Sequence, residues 1–141
     1  MYHDVIKTQD EALCHLFFHC CLKDGEFSAS EIKAVSEKIV DAGLNSELNF
    51  KEEIIKYKEY RSAITNETEY LNFLVKLIRP TNELALFSYC IELCLSDASI
   101  GANEEALLSA IARSLDIDES NQTTIKNLMV QRKIVDTQKI Y

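Results

Sequence analysis

Apolar residues recur along this chain at the three- and four-residue spacing that is typical of helices facing a core. In the first such stretch, Leu13 is followed by Leu16, Phe17 and Cys20. The same pattern predicts seven helices, at residues 9–23, 29–42, 47–64, 67–78, 82–96, 102–115 and 119–133. We therefore predict an all-α fold of about seven helices, forming a single domain over residues 1–141.

Polar residues mark where several of these helices begin and end. Three helices are preceded by pairs with capping-box spacing: Thr8–Glu11, Ser28–Glu31 and Asn66–Glu69. Gly43 is placed to end the second helix in a left-handed conformation, with Leu44 following as its apolar contact. Pro80 disfavours helix in the residue before it, so the fourth helix ends there.

The helix predicted at 82–96 is apolar nearly all round, which is typical of a buried helix. We place it at the centre of the bundle. Its residues Ile91, Leu93 and Cys94 are expected to be almost fully buried.

Charge and composition argue against several classes of function. The net charge is −8, and phosphate backbones are bound by Lys and Arg, so we expect no nucleic-acid partner. Residues 1–8 lack the pattern of a signal peptide, and no apolar run is long enough to cross a bilayer. We expect a cytoplasmic location, no membrane insertion, and free thiols at the five cysteines, which lie in apolar stretches.

The chain resembles itself at an offset of 73 residues. The offset pairs residues of the same type at several places: Leu13 with Leu86, Asp24 with Asp97, Ala29 with Ala102, Glu31 with Glu104 and Ser36 with Ser109. Such internal similarity constrains the fold. Helices 9–23 and 29–42 should therefore form a hairpin equivalent to helices 82–96 and 102–115, with the third and fourth helices inserted between the two.

These repeated residues carry a family resemblance. An apolar helix, then an acidic loop, then a second helix, present twice in about 140 residues, resembles the TerB-like family associated with tellurite resistance and a related N-terminal domain of membrane-anchored J-domain co-chaperones. The resemblance covers roughly residues 10–135, and its best residues are Asp24, Gly25, Glu26, Phe27, Glu31, Asp97, Ile100 and Glu104. The second unit departs from the first, with Ala98 in place of Gly25 and Ser99 in place of Glu26. The resemblance implies an all-helical fold, metal binding at the acidic residues, and a role in stress response through partner proteins.

The acidic loops allow three interpretations from the residues alone. Glu31 is explained by capping with Ser28, and Asp24 by the preference of Asp for turns. Alternatively, the carboxylates bind a divalent cation such as Ca²⁺, Mg²⁺ or Mn²⁺, although the loop is too short for an EF-hand. A third interpretation is direct recognition of a basic protein partner. The candidate metal residues are Asp24, Glu26, Glu31, Asp97 and Glu104.

The two aspartates are the most informative of the five. Each follows the end of the first helix of its hairpin, where helix carbonyls carry partial negative charge and disfavour a nearby carboxylate. Asp24 and Asp97 therefore require a cation or a positive side chain nearby. Glu31 and Glu104, in the first turn of the next helix, are favourable without such help.

The histidines give only weak evidence of a metal site. His15 and His19 share one face of the first helix with Glu11, and without ligands from another segment we interpret this face as a solvated polar stripe. No nucleophile elbow, phosphate loop or zinc-protease motif is present. We predict a non-catalytic stress-response binding module. The alternatives are a metal-dependent enzyme and a protein-interaction scaffold; the oligomeric state is left open.

Overall fold

The computed structural model describes residues 1–23, 28–44, 48–95 and 100–141. These residues form helices and no strand, which confirms the all-α prediction. The helices are α1 (Tyr2–Val5), α2 (Gln9–Leu22), α3 (Ala29–Asp41), α4 (Phe50–Tyr60), α5 (Glu67–Ile78), α6 (Glu83–Cys94), α7 (Ala102–Ser114) and α8 (Glu119–Gln138), with a 3-10 turn at Arg61–Ala63. The short α1 was not predicted, and α8 extends five residues beyond its predicted end at 133.

The predicted caps start and stop the helices as expected. The Thr8 hydroxyl accepts from the Glu11 amide at 3.1 Å, and the Glu11 carboxylate accepts from the Thr8 amide at 3.0 Å. Asn66 caps α5 through the Glu69 amide at 3.0 Å. At the end of α3, Gly43 takes the left-handed conformation with φ 77°.

The chain divides into two compact units, residues 1–79 and 80–141, and each is described by itself. In the first unit α2 is the central helix, because it contacts α3, α4 and α5. Its side chains are buried nearly all round, from Ala12 to Leu22. The unforeseen N-terminal segment adds Tyr2 and Ile6 to this core.

In the second unit α6, the predicted fifth helix, contacts both α7 and α8. Ile91 is fully buried and Cys94 is 6% exposed, as predicted. Leu93 is only half-buried, so its predicted burial was wrong. The apolar surface of α6 is not enclosed on all sides, since Leu84 and Tyr89 are exposed. Across the described residues, no helix is both long and apolar enough to span a membrane.

Candidate functional site

Only two of the five predicted acidic residues lie within the described part of the chain. Asp24, Glu26 and Asp97 lie outside the described residues, whereas Glu31 and Glu104 are described. Glu31 forms the predicted capping box: its carboxylate accepts from the Ser28 amide at 3.3 Å and from the Ser28 hydroxyl at 2.8 Å. The Ser28 hydroxyl also lies 3.2 Å from the Glu31 amide. Capping therefore accounts for the position of Glu31 whether or not it has a ligand.

Glu104 turns back toward its N-cap residue in a similar way. Its carboxylate occupies the space next to Gly101 where a β-carbon would lie. Gly101 is the N-cap of α7 and cannot offer a side-chain cap. The carboxylates of Glu31 and Glu104 thus both fold over the first turn of the second helix of their hairpin.

The second helices of the two hairpins, α3 and α7, have the same boundaries at the offset of 73, whereas α2 and α6 match only approximately. Ala29–Asp41 corresponds residue for residue to Ala102–Ser114. Both helices end in the same motif, since the Leu44 amide bonds to the Ile39 carbonyl at 3.0 Å and the Ile117 amide to the Ala112 carbonyl at 2.9 Å. The left-handed residue between them is Gly43 in one hairpin and Asp116 in the other.

Positive side chains lie where α2 leads into the first acidic loop. The Arg61 guanidinium donates to the Leu22 carbonyl at 2.6 Å. Lys23, the C-cap residue of α2, forms a salt bridge with Glu67 at 2.7 Å. These cations offset the partial negative charge of the helix end, so positive side chains are already present near the position that precedes Asp24.

The prediction of a solvated polar stripe on the first long helix, α2, is wrong. His15 is fully buried and His19 is 2% exposed, so the face of α2 that carries them is not a solvated stripe. Both imidazoles instead belong to what we call the buried histidine cluster, which comprises His15, His19, Glu53, Tyr57, Tyr60, Glu67 and Tyr70. Helices α2, α4 and α5 supply its members.

One chain of hydrogen bonds in the cluster runs through His15. Its Nε2 lies 2.9 Å from the Glu53 carboxylate, and its Nδ1 lies 2.6 Å from the Tyr60 hydroxyl. The Tyr60 hydroxyl in turn lies 2.6 Å from that of Tyr70. An ionised carboxylate can only accept, so Nε2 carries the proton that is donated to Glu53. Lys56 closes the chain by donating to Glu53 at 3.0 Å.

A second chain of the same order runs through His19. Its Nδ1 lies 2.9 Å from the Tyr57 hydroxyl and its Nε2 lies 2.9 Å from the Glu67 carboxylate. Lys23 then pairs with Glu67. Each histidine therefore lies between a tyrosine on α4 and a glutamate that is paired with a lysine.

The carboxylates of the cluster are held in their charged form. Hydrogen bonding from His19 is the main cause that lowers the pKa of Glu67 to about 2, against the opposing effect of burial and with help from Lys23. Burial acts to raise the pKa of Glu53, but hydrogen bonds from His15 and Lys56 outweigh it and the pKa falls below its usual value. Burial also raises the pKa of Tyr60 and Tyr70.

The hydrogen bonds of the cluster tie α2 to α4 and α5. This cluster is not predicted from the sequence because no ligand or partner for His15 and His19 is recognised on another segment, whereas Glu53 on α4 is such a partner and is 4% exposed. A usable signal was present: Glu53, Tyr57 and Tyr60 follow the i, i+4, i+7 spacing of a buried face. Within the described residues, no three His, Cys, Asp or Glu side chains are grouped so that they can hold a metal.

The described residues form an all-helical fold in which α3 and α7 match at the offset of 73. The chain matches the family model of the tellurite resistance protein TerB over residues 10–127, which is most of its length. It therefore belongs to the TerB family. No curated protein and no solved structure matches it.

Proposed function

We propose that this chain is a non-catalytic binding module of the tellurite-resistance type, and that its two acidic loops bind a divalent cation, Ca²⁺, Mg²⁺ or Mn²⁺. The proposed ligands are Asp24, Glu26, Glu31, Asp97 and Glu104. The observation that carries the proposal is the shared construction of the two hairpins. Their second helices begin and end at the same positions at the offset of 73, each with a carboxylate folded over its first turn.

The shared boundaries favour equivalent placement of the two acidic loops. Because α3 and α7 start at matching residues, Asp24 and Asp97 precede their helices by the same number of residues. Carboxylates in this position are suitable ligands for hard cations, which bind oxygen atoms. The net charge of −8 also favours cations over anions at unpaired acidic sites.

The two loops should not contribute equally. Arg61 and Lys23 already bring positive charge to the end of α2, so Asp24 needs a metal less than a bare helix end would require. We therefore assign the larger share of cation dependence to Asp97. The role in stress response, through a partner protein, follows from family membership and stays part of the proposal.

Calorimetric and thermal titration of metal-free protein tests this function. Binding to the folded state stabilises it according to the ligand concentration relative to Kd, so the melting temperature should rise as Ca²⁺, Mg²⁺ or Mn²⁺ is raised to about 10 mM. The double variant Asp24→Asn with Asp97→Asn should lose this rise. Asp97→Asn alone should reduce it more than Asp24→Asn alone.

A matched control removes the same amount of charge elsewhere. Asp41 and Asp136 are exposed and lie outside both loops. The double variant Asp41→Asn with Asp136→Asn should keep the full rise. An unmutated protein whose melting temperature ignores all three cations would rule out the metal site, and the acidic loops would then stand as a dock for a basic partner protein.

A further inference from the structure

A basic groove lies in the first unit. It has a volume of about 600 Å³ and is lined by Lys7, Gln9, Phe73, Lys76, Leu77 and Arg79. This volume lies within the range of sites for small ligands. None of the described residues that line it is acidic, although the chain carries 23 acidic and 15 basic residues.

No described acidic side chain forms a salt bridge with the cations of this groove, although Lys7 interacts electrostatically with Asp4. Lys7, Lys76 and Arg79 form no salt bridge with any other described residue. Asp4, the acidic residue closest to Lys7 in sequence, pairs with the amino group of Met1 at 2.6 Å. Three cations that share one groove repel one another, and an anion in the groove would relieve that repulsion.

Helix electrostatics explain only part of this arrangement. Lys76 and Arg79 lie at the C-terminal end of α5, where positive charge is favourable. Lys7 lies just before Thr8, the N-cap of α2, where the helix dipole disfavours a cation. Asp10 and Glu11 in the first turn of α2 offset part of this effect, and the Glu11 carboxylate accepts from the Lys7 amide at 3.1 Å.

Arg79 is the C-cap residue of α5. It adopts φ 47° and ψ 61°, the left-handed conformation that commonly ends a helix. Its cationic side chain lines the groove.

The walls of the groove are apolar and held in place. Phe73 and Leu77 lie one turn apart on α5 and are half-buried. The Phe73 ring packs against Tyr2 and His3, with ring centroids 5.2 and 4.7 Å apart. Gln9 donates to the Ile78 carbonyl at 2.6 Å, which ties the start of α2 to the end of α5.

We propose that this groove binds a small amphiphilic anion, in which a phosphate or carboxylate group is attached to a short apolar body. The anionic group sits among Lys7, Lys76 and Arg79, and the apolar body lies against Phe73 and Leu77. This site is separate from the proposed cation site in both its residues and the charge of its ligand.

Titration of the ¹⁵N-labelled full chain, followed by NMR, tests the groove. Hexyl phosphate and hexanoate should shift the amide signals of residues 7–9 and 73–79 and saturate at low-millimolar concentration. Inorganic phosphate lacks the apolar body and hexanol lacks the charge, so each should bind at least tenfold more weakly than hexyl phosphate. Equal binding of hexanol or of inorganic phosphate would overturn the proposal.

Charge-matched variants separate the groove from general electrostatics. Lys7→Gln, Lys76→Gln and Arg79→Gln together should weaken hexyl phosphate binding at least tenfold. Lys7→Gln alone should weaken it measurably. The control removes three exposed lysines outside the groove: Lys33→Gln, Lys51→Gln and Lys139→Gln. Equal weakening in the two triple variants, or saturable shifts confined to other residues, would show that the groove is not the site.

Discussion

The Nε2 atom of His15 lies 2.9 Å from the carboxylate of Glu53, and both side chains are buried. The contact joins the central helix α2 to α4. A buried charge is costly unless it is paired and hydrogen-bonded, and Glu53 satisfies this with both His15 and Lys56. Removing either His15 or Glu53 would therefore break this hydrogen bond inside the core.

Glu53→Ala should therefore destabilise the protein strongly. The change leaves the buried His15 N–H without its acceptor and removes one of the two carboxylates that pair with Lys56, and an unsatisfied buried donor costs about 1–3 kcal/mol. Chemical denaturation at pH 7 measures the loss. Glu59→Ala is the control, because Glu59 is exposed on the same helix and its loss should stay within about 0.5 kcal/mol. Similar losses in the two variants would show that the Glu53 interactions do not hold α4.

Tyr60 should contribute more than Tyr70 to the stability of the protein, because Tyr60 lies between His15 and Tyr70 in the chain of hydrogen bonds. Tyr60→Phe removes the hydroxyl that links His15 to Tyr70 and breaks the hydrogen bonds at His15 Nδ1 and at the Tyr70 hydroxyl, so we expect a loss of about 2–3 kcal/mol. Tyr70→Phe removes only the outer hydroxyl and should cost about 1 kcal/mol. Urea unfolding of both variants checks this order, and Tyr141→Phe serves as an exposed control. A larger loss for Tyr70→Phe would contradict the chain of hydrogen bonds.

Acid should weaken the fold through Glu67. Its pKa is about 2 in the folded protein, mainly because His19 donates to it, and 4.5 is its ordinary value. A group whose folded pKa is depressed stabilises the protein above its unfolded pKa and loses that contribution as pH falls through the folded value. The free energy of unfolding should thus fall between pH 4.5 and 2.

The variant Glu67→Gln isolates this effect. Glutamine keeps an acceptor for His19 but does not titrate, so the free energy of unfolding should fall less steeply over the same pH range. Glu69→Gln, an exposed change on the same helix, should leave the steepness unaltered. Parallel pH curves for the unmutated protein and Glu67→Gln would show that Glu67 is not the titrating group.

Periodicity and capping predicted the helices but not the polar interior. Thr8, Ser28 and Gly43 mark boundaries by local chemistry, and local chemistry can be read along the chain. His15, by contrast, is buried because Glu53, 38 residues away, supplies its acceptor. A polar side chain can be recognised as buried only when its distant partner is known, so the cluster was assigned to solvent. The basic groove could not be predicted for the same reason, because its residues come from two distant segments, 7–9 and 73–79.

The N-cap residues of α3 and α7 differ, and substitution at these two positions should make the helix caps alike. Ser28 caps α3 with its hydroxyl, so Ser28→Ala should cost about 1 kcal/mol. At the equivalent position Gly101 offers no hydroxyl, and Gly101→Ser should gain a few tenths of a kcal/mol. The φ of Gly101 is −69°, which any residue adopts, and the only described atoms near a new β-carbon belong to the flexible Glu104 side chain. That carboxylate can swing away and accept from the new serine, as Glu31 does from Ser28.

Thermal and urea unfolding of Ser28→Ala, Gly101→Ser and the combined variant measure these effects. The two changes lie in different hairpins, so their free energies should add. A loss at Ser28 together with the smaller gain at Gly101 would show that the first turns of α3 and α7 respond to the same capping chemistry. If Gly101→Ser instead destabilises the protein by more than about 1 kcal/mol, the Glu104 carboxylate is fixed in its place over Gly101. The likeness between the two hairpins would then not extend to how their second helices are capped.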